Sequence, residues 1–171
     1  MENLPVEIER KYIIKIPDLS SVRANSGYKT TEITQIYLNS SDRVTHRIRK
    51  SVGSDGISYT ETKKIRIDKI SALEDEREIS LERFEELSKN IKDGTRPIKK
   101  TRHKFTLGGQ KYEVDIYPEW KETCILETEL TSKDVDVRMP AFIEIIREVS
   151  GIREYSNAAM SYKFPEEIKS L

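Results

Sequence analysis

Glu7, Glu9 and Lys11 recur at every second position of Val6-Glu7-Ile8-Glu9-Arg10-Lys11-Tyr12-Ile13-Ile14. On an extended chain they share one face, and Val6, Ile8, Tyr12 and Ile14 share the other. Two carboxylates beside an ammonium group can hold divalent cations or phosphate, provided that other strands add partners. On one strand alone the same pattern is an ordinary solvated sheet face. Later segments repeat it. Arg47 and Arg49 share a phase with Thr45, Lys63 follows, and Glu76 and Glu78 come next. Lys100 and Arg102, Glu113 and Asp115, and Glu127 and Glu129 complete the series.

In this series acids pair with acids and bases with bases at i, i+2. Like charges so placed repel unless counter-charges lie between them. A closed sheet with this phase turned inward brings them together, and leaves the apolar phase outward for helices to cover. The set holds eight acids (Glu7, Glu9, Glu76, Glu78, Glu113, Asp115, Glu127, Glu129) and six bases (Lys11, Arg47, Arg49, Lys63, Lys100, Arg102), a net −2. Two divalent cations would turn that to about +2, leaving arginine forks to grip phosphate oxygens in pairs. Carboxylate oxygens are the hard ligands that Mg²⁺ or Mn²⁺ prefers. The phase pattern therefore predicts a metal-dependent site for a linear polyphosphate.

The elements that must position these side chains are mostly strands. They are expected over 5–16, 31–39, 43–51, 57–67, 72–80, 96–107, 110–118 and 123–131. Turns fall at Asn39–Asp42, Gly53-Ser54-Asp55-Gly56 and Gly108-Gly109. A short helix is expected over 18–26 behind Asp18, and a second over 81–91 behind Ser80, with Phe84, Leu87 and Ile91 as its apolar stripe. A last helix is expected from Pro140, with Phe142, Ile145, Ile146 and Val149 on one side and Gly151 as its stop. Eight strands joined by short turns predict a mainly β (α+β) fold, an eight-stranded antiparallel closed β-barrel with a few helices packed outside.

Composition bounds the rest. The chain has 171 residues, enough for one domain spanning 1–171. Thirty basic and thirty acidic residues cancel, so no basic field recruits nucleic acid. Charged residues make up 35% of the chain, against roughly 25% in globular domains generally, and a polar lumen accounts for such an excess. The single cysteine, Cys124, excludes an internal disulfide and reads as a buried thiol. No apolar run approaches the length of a membrane span, which points to a soluble cytoplasmic protein. His46 and His103 fall in the phase opposite the charged one and are read as surface or core-edge residues. Trp120 reads as a packing anchor.

Glu7-Ile8-Glu9-Arg10-Lys11 resembles the ExExK signature of the CYTH superfamily, the triphosphate tunnel metalloenzymes. Arg47-Ile48-Arg49, Lys63, Glu76-Arg77-Glu78, Lys100-Thr101-Arg102, Glu113-Val114-Asp115, Glu127-Thr128-Glu129 and Tyr155-Ser156-Asn157 resemble further blocks of that family in the same order, over about residues 5–163. The resemblance implies a tunnel that binds a triphosphate with divalent metal, Mg²⁺ or Mn²⁺ and two ions. Glu7, Glu9, Asp115, Glu127 and Glu129 would be the metal ligands. Lys11, Arg47, Arg49, Lys63, Lys100 and Arg102 would bind phosphate, and Tyr37 and Lys100 resemble positions near the scissile bond in bacterial tripolyphosphatases. It further implies attack of a metal-bound water on a terminal phosphorus, with Glu9 or Lys11 as candidates to relay the proton. Inorganic tripolyphosphate is the expected substrate, with nucleoside triphosphates as a side activity. The alternatives are a class IV adenylate cyclase, a thiamine triphosphatase and a non-catalytic polyphosphate-binding module. The resemblance allows a homodimer.

Overall fold

The computed structural model describes residues 4–169; the outermost residues of the expected domain, 1–3 and 170–171, lie outside the described residues. Alternation drives the fold. The strands are β1 (Val6–Lys15), β2 (Ser26–Leu38), β3 (Val44–Gly53), β4 (Gly56–Arg66), β5 (Ser71–Glu78), β6 (Ile98–Leu107), β7 (Gln110–Ile116), β8 (Thr123–Glu129) and β9 (Ile145–Glu148). They pair in the order β5-β4-β3-β2-β6-β7-β8-β1-β9, and a further β1–β5 pairing closes the first eight into a barrel. The closure is short: Val6, Glu7 and Ile8 face Leu73, Ala72 and Ser71. Beyond it the same edge of β1 passes to β9, whose Glu148 and Arg147 face Tyr12 and Ile13. The other edge of β1 runs along β8 from Glu9 opposite Glu129 to Lys15 opposite Thr123.

Helices are few among the described residues. The helix α1 (Leu19–Arg23) begins at Asp18, which accepts from Ser20 N, and α2 (Leu81–Ser88) begins at Ser80, which accepts from Arg83 N. The α2 helix sets Phe84 and Leu87 on the outer residues Leu38 and Ile48 of β2 and β3. A second outer core joins Tyr12, Ile14, Phe105, Tyr112, Val114, Cys124 and Leu126, covered by Val22 of α1 and by Val137, Met139 and Phe142. Cys124 is fully buried there, and Trp120 is a buried packing residue.

The helix expected from Pro140 does not form. Its spacing suits a helix stripe, but Ile145 and Ile146 are β-branched and meet the free backbone edge of β1, so the segment is the strand β9. After it come a 3-10 turn (Arg153–Tyr155) and the short helix α3 (Asn157–Met160). These do not sit outside the barrel. Val149, Tyr155 and Met160 pack against Ile13, Tyr37, Ile98, Tyr117 and Ile125, apolar residues of the inward phase, and stop one end of the barrel with a third core.

The chain then straps over the β7–β8 connection. Trp120 Nε1 donates to Pro165 O (3.1 Å), and the Glu167 carboxylate accepts from the backbone N–H groups of Lys121, Glu122 and Thr123. Burial works against ionisation of Glu167, but those donors outweigh it and hold its carboxyl down at about 2. A depressed acid stabilises the fold above its ordinary value of 4.5 and loses that contribution as pH falls through about 2. Glu167→Gln should therefore lower the urea midpoint at neutral pH, with the gap from the wild type shrinking as pH falls through that window. A gap that ignored pH would remove the carboxylate from this role.

Candidate active site

The hairpin registers decide which side chains meet. Arg47 faces Thr62, and Thr45 faces Lys64, across β3 and β4; Thr62 and Lys64 in turn face Glu76 and Glu74 of β5. Gln35 faces Arg49 and Tyr37 faces Arg47 across β2 and β3. Arg102 faces Asp115, and Glu113 faces Glu127, across β6, β7 and β8. Except for Thr62, Gln35 and Asp115, these side chains line one cavity of about 580 Å³ together with Glu7, Glu9 and Lys11 of β1. A second opening of about 310 Å³ at the β3–β4 hairpin shares Arg49, Glu76, Arg102 and Lys104 with it.

Most of the expected site residues line that cavity: Glu7, Glu9, Lys11, Tyr37, Arg47, Arg49, Lys100, Arg102 and Glu127. Three do not. Lys63 faces His46 in the outward phase, and Lys64 takes the inward place instead. Asp115 is fully buried behind the wall, where Lys100 Nζ donates to Oδ2 (2.6 Å) and Arg102 donates from Nε to Oδ1 and from Nη2 to Oδ2 (2.7 Å each). Glu129 is exposed at the last position of β8. On β5 it is Glu74 and Glu76, not the expected Glu76 and Glu78, that reach the wall. Arg66, Lys69, Lys104 and Arg153 also line it, so basic side chains outnumber acidic ones there, opposite to the count from strand phase. His46 pairs with Glu61 and His103 contacts Tyr28, both away from the cavity.

Electrostatics divides the wall into two halves. In the first, Lys11 Nζ lies 3.0 Å from Glu127 Oε1, Arg102 Nη2 lies 3.2 Å from Glu127 Oε2, and Arg102 also pairs with Glu113. Burial works to raise the Glu127 carboxyl, but Lys11, Lys100 and Arg102 hold it well below the usual range. Burial lowers Lys100 to about 8, against the pull of Asp115. In the second half, Lys64 bridges Glu7 and Glu74. Glu9 is pushed up to about 7, first by burial and then by Glu127, and burial raises Glu7 as well. Arg47 stands beside this half, drawn by Glu74 and Glu76 but hydrogen-bonded to neither. Arg47 Nε is buried with no hydrogen-bond partner, and its Nη2 is 3.7 Å from Glu74 and 3.9 Å from Glu76.

Among the described residues no three His, Cys, Asp or Glu side chains already stand gathered around a point where a metal would sit. The donor set nevertheless suits a hard dication. Glu7, Glu9 and Glu127 present carboxylate oxygens to one space, and burial raises the carboxyls of Glu7 and Glu9, a cost that a bound dication would offset. Lys64 and Lys11 now lie against Glu7 and Glu127, as the nearest positive groups.

No family model and no curated sequence matches the chain. Solved structures do. The crystal structure of the inorganic triphosphatase NE1496 is 27% identical, with 93% of this chain and 96% of that one aligned at a TM-score of 0.59. The chain has the CYTH fold. The PH1819 protein from Pyrococcus horikoshii OT3 shares this fold, at 22% identity over 75% of this chain and 80% of that one, with a TM-score of 0.59. A conserved hypothetical protein from Pyrococcus furiosus aligns over the same shares at 25% identity and a TM-score of 0.56. The CYTH barrel thus recurs around a chain whose interior is the charged cavity described above.

Sequence reasoning missed the plug and the buried clamp. The plug was signalled. Ile13 and Ile125 fall in the charged phase of β1 and β8, marking where the lumen turns apolar.

Proposed function

We propose that this protein is a divalent-cation-dependent hydrolase of linear triphosphates, with inorganic tripolyphosphate as substrate. One observation carries the reading: the forks of Arg47 and Arg49, hydrogen-bonded to no carboxylate among the described residues, line the same cavity of about 580 Å³ as the carboxyls of Glu7, Glu9 and Glu127. The likeness to an inorganic triphosphatase over nearly the whole chain supports it. Arg47, Arg49, Lys64 and Lys11 would bind phosphate oxygens, while Arg102 is committed to Asp115, Glu113 and Glu127. Glu7, Glu9 and Glu127 would hold Mg²⁺ or Mn²⁺, which when bound supplies charge neutralisation and a more acidic attacking water.

Lys11 is a binding group, because Glu127 and Glu9 outweigh its burial and keep its ammonium charged. Lys100, lowered to about 8, is better suited to give a proton from Nζ to a leaving phosphate. Tyr37 lines the same cavity and would serve as a hydrogen-bond donor at the scissile bond. Positioning and electrostatics supply the rest of the acceleration.

The test is product release from tripolyphosphate, ATP and thiamine triphosphate with Mg²⁺ or Mn²⁺. Preference for tripolyphosphate, abolished by chelator, is the expected result. Cyclic AMP with pyrophosphate from ATP would instead make it a cyclase, and no turnover of any of them would leave a binding module.

A further inference from the structure

Gln35 touches none of the groups assigned a reacting role except Tyr37, yet it is completely buried in the wall of the site. Its amide spans two strands. Oε1 accepts from Arg49 Nε (3.2 Å) and Nη2 (3.0 Å), and Nε2 donates to Tyr37 Oη (2.6 Å). The direction of this chain of bonds is not a free choice. A guanidinium has donors only, so the amide oxygen must face Arg49 and the amide nitrogen must face Tyr37. A phenol that accepts from an amide must direct its own hydrogen elsewhere. Among the described residues Tyr37 Oη donates to no protein group, and the tyrosine lines the cavity.

The same geometry governs Arg49. Gln35 holds its fork with a neutral acceptor, and among the described residues no carboxylate pairs with it. Its charge is fixed in place without being cancelled. A glutamate at this position would grip Arg49 more strongly but would neutralise it. Such a side chain would also have no N–H for Tyr37, and would draw the phenol hydrogen to itself.

We propose that Gln35 is a positioning residue that turns the Tyr37 hydroxyl hydrogen toward the substrate's phosphate oxygen while holding Arg49 as an uncancelled cation. This rests on the triphosphate reading given above. It goes further in assigning the direction of the Tyr37 hydrogen bond to a residue that does not meet the substrate.

The experiment compares kcat and KM on tripolyphosphate for wild type, Gln35→Glu, Tyr37→Phe and the double variant. Tyr37→Phe should lower kcat by about tenfold or more, as loss of a positioned donor does. Gln35→Glu should lower kcat by a similar factor and raise KM through Arg49. Adding Tyr37→Phe to Gln35→Glu should then change kcat by less than about twofold, because the hydroxyl is already turned away. Factors that multiply in the double variant would overturn the proposal, as would a Gln35→Glu enzyme with wild-type kcat. Absence of turnover by the wild type would instead remove the triphosphate reading and the proposal with it. If Gln35→Glu does not fold, NMR of the Gln35 side-chain amide decides. Its protons should be protected from exchange in wild type and released in Tyr37→Phe, and equal exchange in both would overturn the assignment.

Discussion

Arg47→Ala is expected to weaken tripolyphosphate binding by about tenfold to a hundredfold, with little change in the stability of the fold. Arg47 holds donors that the protein does not use: Nε is buried without a partner, and Nη2 stays 3.7 Å or more from Glu74 and Glu76. Unused buried donors are costly to leave unmade, and an anion that satisfies them gains charge-assisted bonds of roughly 1.5–3 kcal/mol. That energy corresponds to the stated loss in affinity. Titration calorimetry in the presence of chelator separates binding from turnover, and a thermal melt of the same sample reports the fold. Affinity equal to wild type would mean that the guanidinium does not meet the phosphate chain.

Arg102→Met should do the reverse damage and destabilise the protein by about 3–5 kcal/mol, the usual loss when one partner of a buried ion pair is removed. Arg102 is spent on the protein. It makes two bonds to the fully buried Asp115 and further contacts to Glu127 and Glu113. Without it, Lys100 alone would face Asp115. Urea unfolding measures the loss, and pairing the change with Asp115→Asn should restore part of it, since the two sites share one interaction. A loss below about 1 kcal/mol would show that the clamp is not what holds this wall. Two arginines of the same inward phase thus have opposite duties, one poised for the ligand and one for the fold.

That difference was not legible in the chain, because both residues fall in the same charged, inward phase of their strands. Phase reports which face a side chain takes, whereas the depth of Asp115 behind Arg102 depends on how three strands stack at that level of the barrel. What alternation could show was the closed sheet and most of the cavity wall. Lys63 and Lys64 mark the limit of the method. The two-residue turn at Ser54-Asp55 sets Gly53 opposite Gly56, and that register turns Lys64 inward. Taking the turn as two residues would have found it. The strand β9 was hidden for another reason: Phe142, Ile145, Ile146 and Val149 have helical spacing, and the edge left open by β1 beyond Ile8 overrides it.

That first strand has one more property, which follows from its place in the topology. It borders β8 on one side, and β5 and then β9 on the other, and only three residue pairs join it to β5. While seated, β1 covers the edge of β8 and the first residues of β5. Once β1 is displaced, the backbone of β8 and of the start of β5 is unpaired and ready to template another chain. Glu7, Glu9 and Lys11 therefore ride on the strand that covers those edges, so substitutions made there to alter chemistry also bear on solubility.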